Sequence, residues 1–451
     1  MNIEQLIKSF TINGLFGTTN LYIPFEGKAK ILIGENGLGK TQVLNMLYYV
    51  LTNRFERLIG YKFDSIVVEF RNGEEIIVKK SDIIEKMQHP AISRIVDKIG
   101  MSKFLELYNI LSNNPSNITH AMRMKLQQMG VSYGLMMDAI DVLSGEQIDK
   151  LPLFSVEDKN ITSKNIISKN ITDAQILYFP TYRRVEEDLH NLGYDEDRFD
   201  INREDNSLIH FGMNDVRKRF NEVTQEISQL SKDGFSKISG EILSQLVNGL
   251  PEVDHKFLAP IKQKDIEIIL ARVGNQISET DKKRITEIIT TKDIQAKDHS
   301  LLYFLQKLIS IYDQQRTLDS AIKSFATVCN KYLVNKQVIY NESSIDIYIK
   351  LNDSNDELQL SELSSGEKQI ISIFSKIYLS PSDCKFIVLF DEPELSLSVF
   401  WQRKLLPDIF DSGKCQFLLA VTHSPFIFEN NLDKYAIGLQ EYLSPIKLTH
   451  V

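Results

Sequence analysis

The sequence predicts an α/β fold whose sheet-forming parts are split by a large helical insertion, and three observations carry that expectation. Short apolar strand-like runs gather before residue 80 and return after residue 336. Between about 205 and 335, apolar residues recur at three- and four-residue spacing, as in Ile266, Ile269, Leu270 and Val273. One apolar run, Ile31-Leu32-Ile33, leads straight into a glycine-rich turn and then a helical pattern.

Taken in order, residues 1–80 read as strands around one helix. Leu21 to Phe25 and Ile31 to Ile33 are strand-like, and Gln42 to Leu51 is helical. Ser65 to Phe70 and Glu74 to Lys79 flank Arg71-Asn72-Gly73, whose Asn-Gly pair favours a tight hairpin turn. Residues 81–170 turn helical and then polar, and the repeated Lys-Asn-Ile units of 158–170 predict a surface loop. Segment 171–204 returns to the sheet through Gln175 to Phe179, a buried strand closed by Pro180. The 205–335 insertion predicts antiparallel helices broken near Gly249-Leu250-Pro251 and between Lys292 and His299, either bundled on the core or protruding as an arm. Segment 336–451 opens with strands at Val338 to Tyr340 and Ile345 to Ile349, then enters a dense run of motifs.

Composition excludes several classes of function. In 451 residues, 43% hydrophobic and 25% charged, there is ample material for a core without crosslinks. A net charge of -8 provides no global basic field to gather nucleic acid. Arg183-Arg184 and Arg217-Lys218-Arg219 are local clusters that read as solvated helix faces. Cys329, Cys384 and Cys415 form no CxxC pair, and the histidines form no HExxH or HxH pattern, which argues against disulfides and zinc. With no basic-then-apolar start and no run of eighteen apolar residues, the expectation is a cytoplasmic protein without membrane contact.

Gly34-Glu35-Asn36-Gly37-Leu38-Gly39-Lys40-Thr41 fits GxxxxGK[ST] throughout, after a strand and before a helix. Phosphates call for this arrangement. Backbone N–H groups of Gly34, Asn36, Gly37 and Gly39 turn inward, the helix start adds its dipole, Lys40 reaches the β/γ-phosphates, and Thr41 ligates Mg²⁺. The expected cofactors are therefore ATP and Mg²⁺. Phe386 to Phe390 form an apolar run ending in Asp391 and Glu392, at the strand end where α/β sheets meet ligands. Asp391 is the expected holder of the metal's water shell, and Glu392 the group that polarises the attacking water.

Leu363-Ser364-Ser365-Gly366-Glu367-Lys368-Gln369 precedes a helical pattern, with Gly366 lying 25 residues before Asp391. Taken alone it also reads as an ordinary N-cap with a capping-box acid. Leu143-Ser144-Gly145-Glu146-Gln147 looks similar but has no acid-tipped strand behind it, and reads as a turn in the first helical insert. Finally, His423 follows the apolar run Phe417 to Val421.

In this order the motifs resemble those of the ABC-type P-loop ATPases, of the SMC, RecF and OLD kind rather than transporter cassettes. About 325 residues separate Lys40 from Ser365, and the surplus is the helical insertion. The resemblance implies that Ser364, Ser365, Gly366 and Glu367 form a signature turn binding the γ-phosphate of an ATP held by a second copy. It implies a D-loop at Pro393 to Ser398 and a γ-phosphate contact from His423, which with Glu392 makes the catalytic pair. The sequence departs from the pattern at two places. Relatives carry a glutamine after the lobe-connecting strand, whereas Gln175 precedes it here and Pro180-Thr181-Tyr182 follow; and Ser398 stands where relatives often have histidine.

Tyr178 to Glu186, LSSGEKQ and DEPELSLS are together similar to the stand-alone ATPase subunits of bacterial anti-phage systems, PARIS first and Septu second. That resemblance implies a homo-oligomer joined through shared ATP, a separate nuclease effector (Toprim-type for PARIS, HNH-type for Septu) and a phage trigger protein, often a DNA mimic. Only 28 residues follow His423, so no nuclease domain is expected within the chain. The competing expectation is a DNA-repair or chromosome-maintenance ATPase of the RecF or SMC kind.

Overall fold

The computed structural model describes residues 7–35, 37–101, 103–105, 107–108, 120–144, 165–167, 169–171, 174–181, 213–249, 262–274, 277–291, 299–354 and 356–446. Asn36, Gly145 to Gln147, Tyr182 to Glu186 and residues 158–164 lie outside them. Two compact units emerge, one from residues 1–209 with 384–451 and one from residues 210–383.

Two sheets and a helix form the main core of the first unit, which also holds the first helical insert. An antiparallel sheet contains β1 (Ile7–Leu15), β2 (Thr19–Pro24), β4 (Ser65–Phe70), β5 (Glu75–Lys79) and β13 (Leu443–Pro445), in the order β13-β2-β1-β4-β5. β4 and β5 form the expected hairpin, with Gly73 at φ +85°, a conformation that glycine adopts without steric cost. A second sheet contains β3 (Ala29–Ile33), β6 (Ala174–Phe179), β10 (Lys385–Asp391), β11 (Cys415–Thr422) and β12 (Ala436–Gly438), in the order β12-β3-β11-β10-β6. Every pairing in it is parallel. Central strands of such a sheet are covered on both faces, which is why β10 and β11 are apolar runs rather than alternating patterns.

Helix α1 (Lys40–Leu51) belongs to the core between these sheets. Its Val43, Leu44, Leu47, Val50 and Leu51 join Phe10, Ile12, Ile66 and Val68 of the antiparallel sheet and Ile387, Leu389, Leu419 and Val421 of the parallel one. At about 1.5–3 kcal/mol for each large apolar side chain fully buried, this cluster fixes the strand that feeds the glycine loop. The first helical insert has a separate core. There α2 (Lys80–Met87), α3 (Pro90–Ile99), α4 (His120–Gln128) and α5 (Tyr133–Ser144) gather Met87, Ile92, Ile95, Phe104, Leu126, Met136 and Ile140. The described part of the polar 158–170 stretch departs from the loop expectation, because residues 165–167 and 169–170 are helical. Ile166 and Ile167 pack on the sheet core, while Lys169 and Asn170 both bond to Glu74. Ile166 and Ile167 thus serve as anchors.

The second unit holds α6 (Met213–Asn248), α7 (Gln263–Arg272), α8 (Glu279–Thr291), α9 (His299–Cys329) and α10 (Ser365–Tyr378), together with a sheet of β7 (Lys336–Asn341), β8 (Asp346–Leu351) and β9 (Glu357–Leu358). α6 and α9 run antiparallel. Phe220 meets Phe325, Gln315 bonds Ser231, and Lys307 pairs with Glu241, so numbers rise on one helix as they fall on the other. Gly249, at φ +91°, closes α6 where the break was expected. The unit also takes in α10, whose first turn holds the expected signature residues, beyond the 205–335 boundary of the insertion. Arg219 explains part of this cohesion: Arg217 and Lys218 are exposed, but Arg219 turns inward and its Nη1 donates to Ser375 Oγ of α10 at 2.7 Å. No helix among the described residues is long and apolar enough to cross a membrane.

Candidate nucleotide site

Four parallel strands deliver their ends to one edge of the sheet. β3 ends in the glycine loop, β11 in His423, β10 in Asp391 and Glu392, and β6 in Pro180 and Thr181. The carboxyl edge of an open parallel sheet is where such folds bind ligands.

The loop is shaped for anions. Gly37 and Gly39 have φ of +92° and +81°, and Gly39 caps α1 without any side-chain hydrogen bond or first-turn acid. The first N–H groups of α1 are thus not taken up by a capping side chain. Lys40 is 5% exposed, and its Nζ donates to the carbonyls of Gly34 at 2.6 Å and Glu35 at 3.1 Å. Among the described residues no carboxylate pairs with it. A buried ammonium held only by carbonyls of its own loop matches an incoming phosphate.

Asp391 is 1% exposed and receives two hydroxyls: Thr41 Oγ1 donates to Oδ1 at 2.9 Å, and Thr181 Oγ1 donates to Oδ2 at 2.7 Å. These hard oxygen donors suit Mg²⁺, which takes one or two carboxylates and completes its shell with phosphate and water. Among the described residues, no group of three or more His, Cys, Asp or Glu could hold a metal by itself. The donor set fits an ion that brings further ligands of its own, and Thr41 and Asp391 are the residues that would hold it.

Thr181 was not singled out by the sequence. Its signal was a hydroxyl two residues past an apolar strand, and it acquires meaning only through the register that sets Phe179 against Phe390. The same register puts Gln175 opposite Phe386, at the other end of β6, where it is exposed. Phe16 is a second such residue. At φ +59° in the β1–β2 turn, it presses its ring on the loop so closely that a Cβ on Gly39 would lie 2.3 Å from Phe16 Cζ. Gly39 is therefore required by packing as well as by φ.

Glu392 sits at φ +47°, with its N–H donating to Val421 O at 2.9 Å. A non-glycine residue in this region costs about 1–3 kcal/mol and persists where the surroundings enforce it, often at functional sites. His423 Nδ1 lies 3.8 Å from Glu392 Oε1 and 3.1 Å from Glu394 Oε1, and the imidazole is 44% exposed.

The signature residues belong to the second unit. Ser364 caps α10 in a capping box with Glu367, and both Ser364 and Ser365 are exposed whereas Gly366 and Glu367 are buried. Glu367 accepts from Ser364 N and Ser364 Oγ, each at 2.8 Å, and pairs with Lys336 Nζ at 2.9 Å. Burial pushes the Glu367 carboxyl up, but Lys336 and the Ser364 donors outweigh it and hold it below the usual carboxylate range. Its carboxylate thus braces the serine turn. Ser364 and Ser365 are the side chains left facing outward.

Several known proteins are similar to this chain. A retron Ec83 probable ATPase of Escherichia coli is 26% identical over 181 residues, covering 36% of this chain and 30% of that protein. The chain thus spans under a third of the length of the curated relative it matches. Among solved structures, the Smc head domain with a coiled coil and joint from Pyrococcus yayanosii covers 94% of this chain and 93% of its own, at 12% identity and TM-score 0.31. The Smc head domain of Pyrococcus furiosus bound to the C-terminal domain of ScpA covers 98% and 96%, at 11% identity and TM-score 0.31. The AAA ATPase domain family matches residues 6–428, from β1 past His423. With a glycine loop, an acid-tipped strand and a histidine-tipped strand on one parallel sheet, and its sheet-forming parts split in sequence by a helical insertion, this chain belongs to the AAA ATPase domain family.

Proposed function

We propose that the protein binds Mg²⁺-ATP at the edge of the parallel sheet, and that a second copy closes this site with its Ser364-Ser365-Gly366 turn. The observation that carries the reading is Lys40, a buried cation whose partners are two carbonyls of its own loop. Lys40 and the bare start of α1 would hold the β/γ-phosphates, and Thr41 and Asp391 would hold the metal. When bound, Mg²⁺ supplies charge neutralisation at the phosphate oxygens. Glu392 orients the attacking water, and His423 meets the γ-phosphate side.

In the setting we infer, ATP turnover runs a sensor and scaffold subunit of an anti-phage system. It holds a separate nuclease effector, Toprim-type by preference and HNH-type otherwise, and releases it when a phage protein, often a DNA mimic, is sensed. The partial match to a retron ATPase supports a defence-associated role. The likeness to PARIS rests on Tyr178 to Glu186, LSSGEKQ and DEPELSLS.

Mixing two inactive variants tests the shared site. Lys40→Ala removes the phosphate cation and Ser365→Arg blocks the turn. In a random two-fold mixture, about a quarter of the sites would combine an intact loop with an intact turn. Turnover should therefore reappear on mixing. ATP turnover no higher than in either variant alone would overturn site sharing.

A further inference from the structure

The segment after Glu392 is folded back on itself in a way that ATP binding does not require. Glu392 and Ser396, both non-glycine, have φ of +47° and +67° within five residues. Between them, Glu394 is driven inward, with its side chain only 4% exposed. Its Oε1 accepts from His423 N at 3.1 Å and Ser424 N at 3.2 Å, and lies 3.1 Å from His423 Nδ1. Its Oε2 is buried with no hydrogen-bond partner among the described residues. Gln402 of α11 (Val399–Phe410) clamps the arrangement. Gln402 Nε2 donates to Leu397 O at 2.9 Å and Glu394 O at 3.3 Å, while its Oε1 receives Ser424 Oγ at 2.7 Å.

A buried carboxylate with one oxygen unpartnered among the described residues costs stability, and such a group calls for an explanation. Two backbone amides would be served equally well by a neutral amide side chain. What the carboxylate adds is a charged acceptor beside one nitrogen of an otherwise exposed imidazole. Among the charged groups facing His423, Glu392 is farther away, at 3.8 Å.

We propose that Glu394 is the positioning residue for His423. It keeps the proton on Nδ1, so that Nε2 is the nitrogen turned toward the γ-phosphate, and it balances the imidazolium that forms when Nε2 also takes a proton. Which ring nitrogen carries the proton is set by what the other one meets. Glu392 is thereby left free for water. This inference rests on the ATP site proposed above, and Glu394 itself touches no nucleotide.

The test is Glu394→Gln in the full chain with Mg²⁺-ATP, beside His423→Ala. Glutamine keeps an oxygen for the two amides and so preserves the turn. Glu394→Gln should lower kcat on the order of ten- to a hundred-fold while KM for ATP stays within about two-fold. The ¹⁵N signals of His423, assigned by their loss in His423→Ala, should move away from the Nδ1-protonated pattern. A kcat within about two-fold of the parent would overturn the proposal, as would a slowed variant with unchanged ¹⁵N signals, which marks a structural brace only. Slow His423→Ala beside fast Glu394→Gln overturns the positioning alone, whereas fully active His423→Ala overturns the reading of the site beneath it.

Discussion

Two buried cations in this chain live in opposite circumstances. Arg272, in the second unit, has a side chain 3% exposed and spends every nitrogen on protein. Nε donates to Glu342 O at 2.9 Å, Nη1 to Gln315 Oε1 at 2.5 Å, and Nη2 to Asp319 Oδ1 at 2.7 Å. Tyr340 adds a hydroxyl to Asp319, and Gln315 carries the network on to Ser231. Lys40, equally hidden, touches two carbonyls and no acid among the described residues. The Arg272 charge is neutralised inside the chain and ties elements together, whereas Lys40, held by carbonyls of the glycine loop, has no counter-ion to give up before a phosphate arrives. Burial alone does not distinguish them; the identity of the partner does.

The sharpest way to break this contrast is to remove one member of each cluster. Lys40→Ala should abolish nucleotide binding in a fluorescent-ATP titration and leave the melting temperature nearly unchanged. Asp319→Ala should do the reverse: the stranded Arg272 costs about 3–5 kcal/mol in urea unfolding, while the folded fraction still binds nucleotide. Equal loss of binding in both variants would erase the distinction.

A third buried charge sharpens the comparison. Glu56, 6% exposed in the short helical turn Phe55–Gly60, has an Oε1 with no hydrogen-bond partner among the described residues. Burial pushes its carboxyl up from 4.5 to about 7, against the pull of its own backbone amide and of Arg57 and Arg54. Because the folded form holds the proton more tightly than the unfolded one, its stabilising effect is full below pH 4.5 and is lost as pH climbs to about 7. Glu56→Gln should therefore gain about 3 kcal/mol at pH 8, with the gain shrinking steadily toward pH 5 in parallel urea titrations. The smallest effect belongs to Thr181→Ala, which removes one of the two hydroxyls on Asp391. About a tenfold slower turnover with the fold intact is expected, by steady-state phosphate release. An unchanged rate would reduce Thr181 to a packing residue.

These residues also show what the linear sequence conveyed. The glycine loop, the acid-tipped strand and the His423 strand were legible because each is local, an apolar run joined to a motif of a few letters. The Asn72-Gly73 hairpin was legible for the same reason. Thr181 was hidden because its role depends on a parallel pairing between strands that lie more than two hundred residues apart. Glu394 was hidden because its inward direction comes from left-handed backbone on either side, which no side-chain pattern announces. Arg219 hides among its basic neighbours because one helical step separates a solvated face from a packed one. In the Lys-Asn-Ile repeat the polar letters dominate the pattern, although Ile166 and Ile167 decide where its described residues lie.

Arg219 also links two scales. Its guanidinium, half-buried and anchored on Ser375, ties a helix of 36 residues to the one whose first turn displays Ser364 and Ser365. At about 1.5 Å per residue, that helix is on the order of 50 Å long. One cation thus joins the start of a long rod to the turn that displays the two serines.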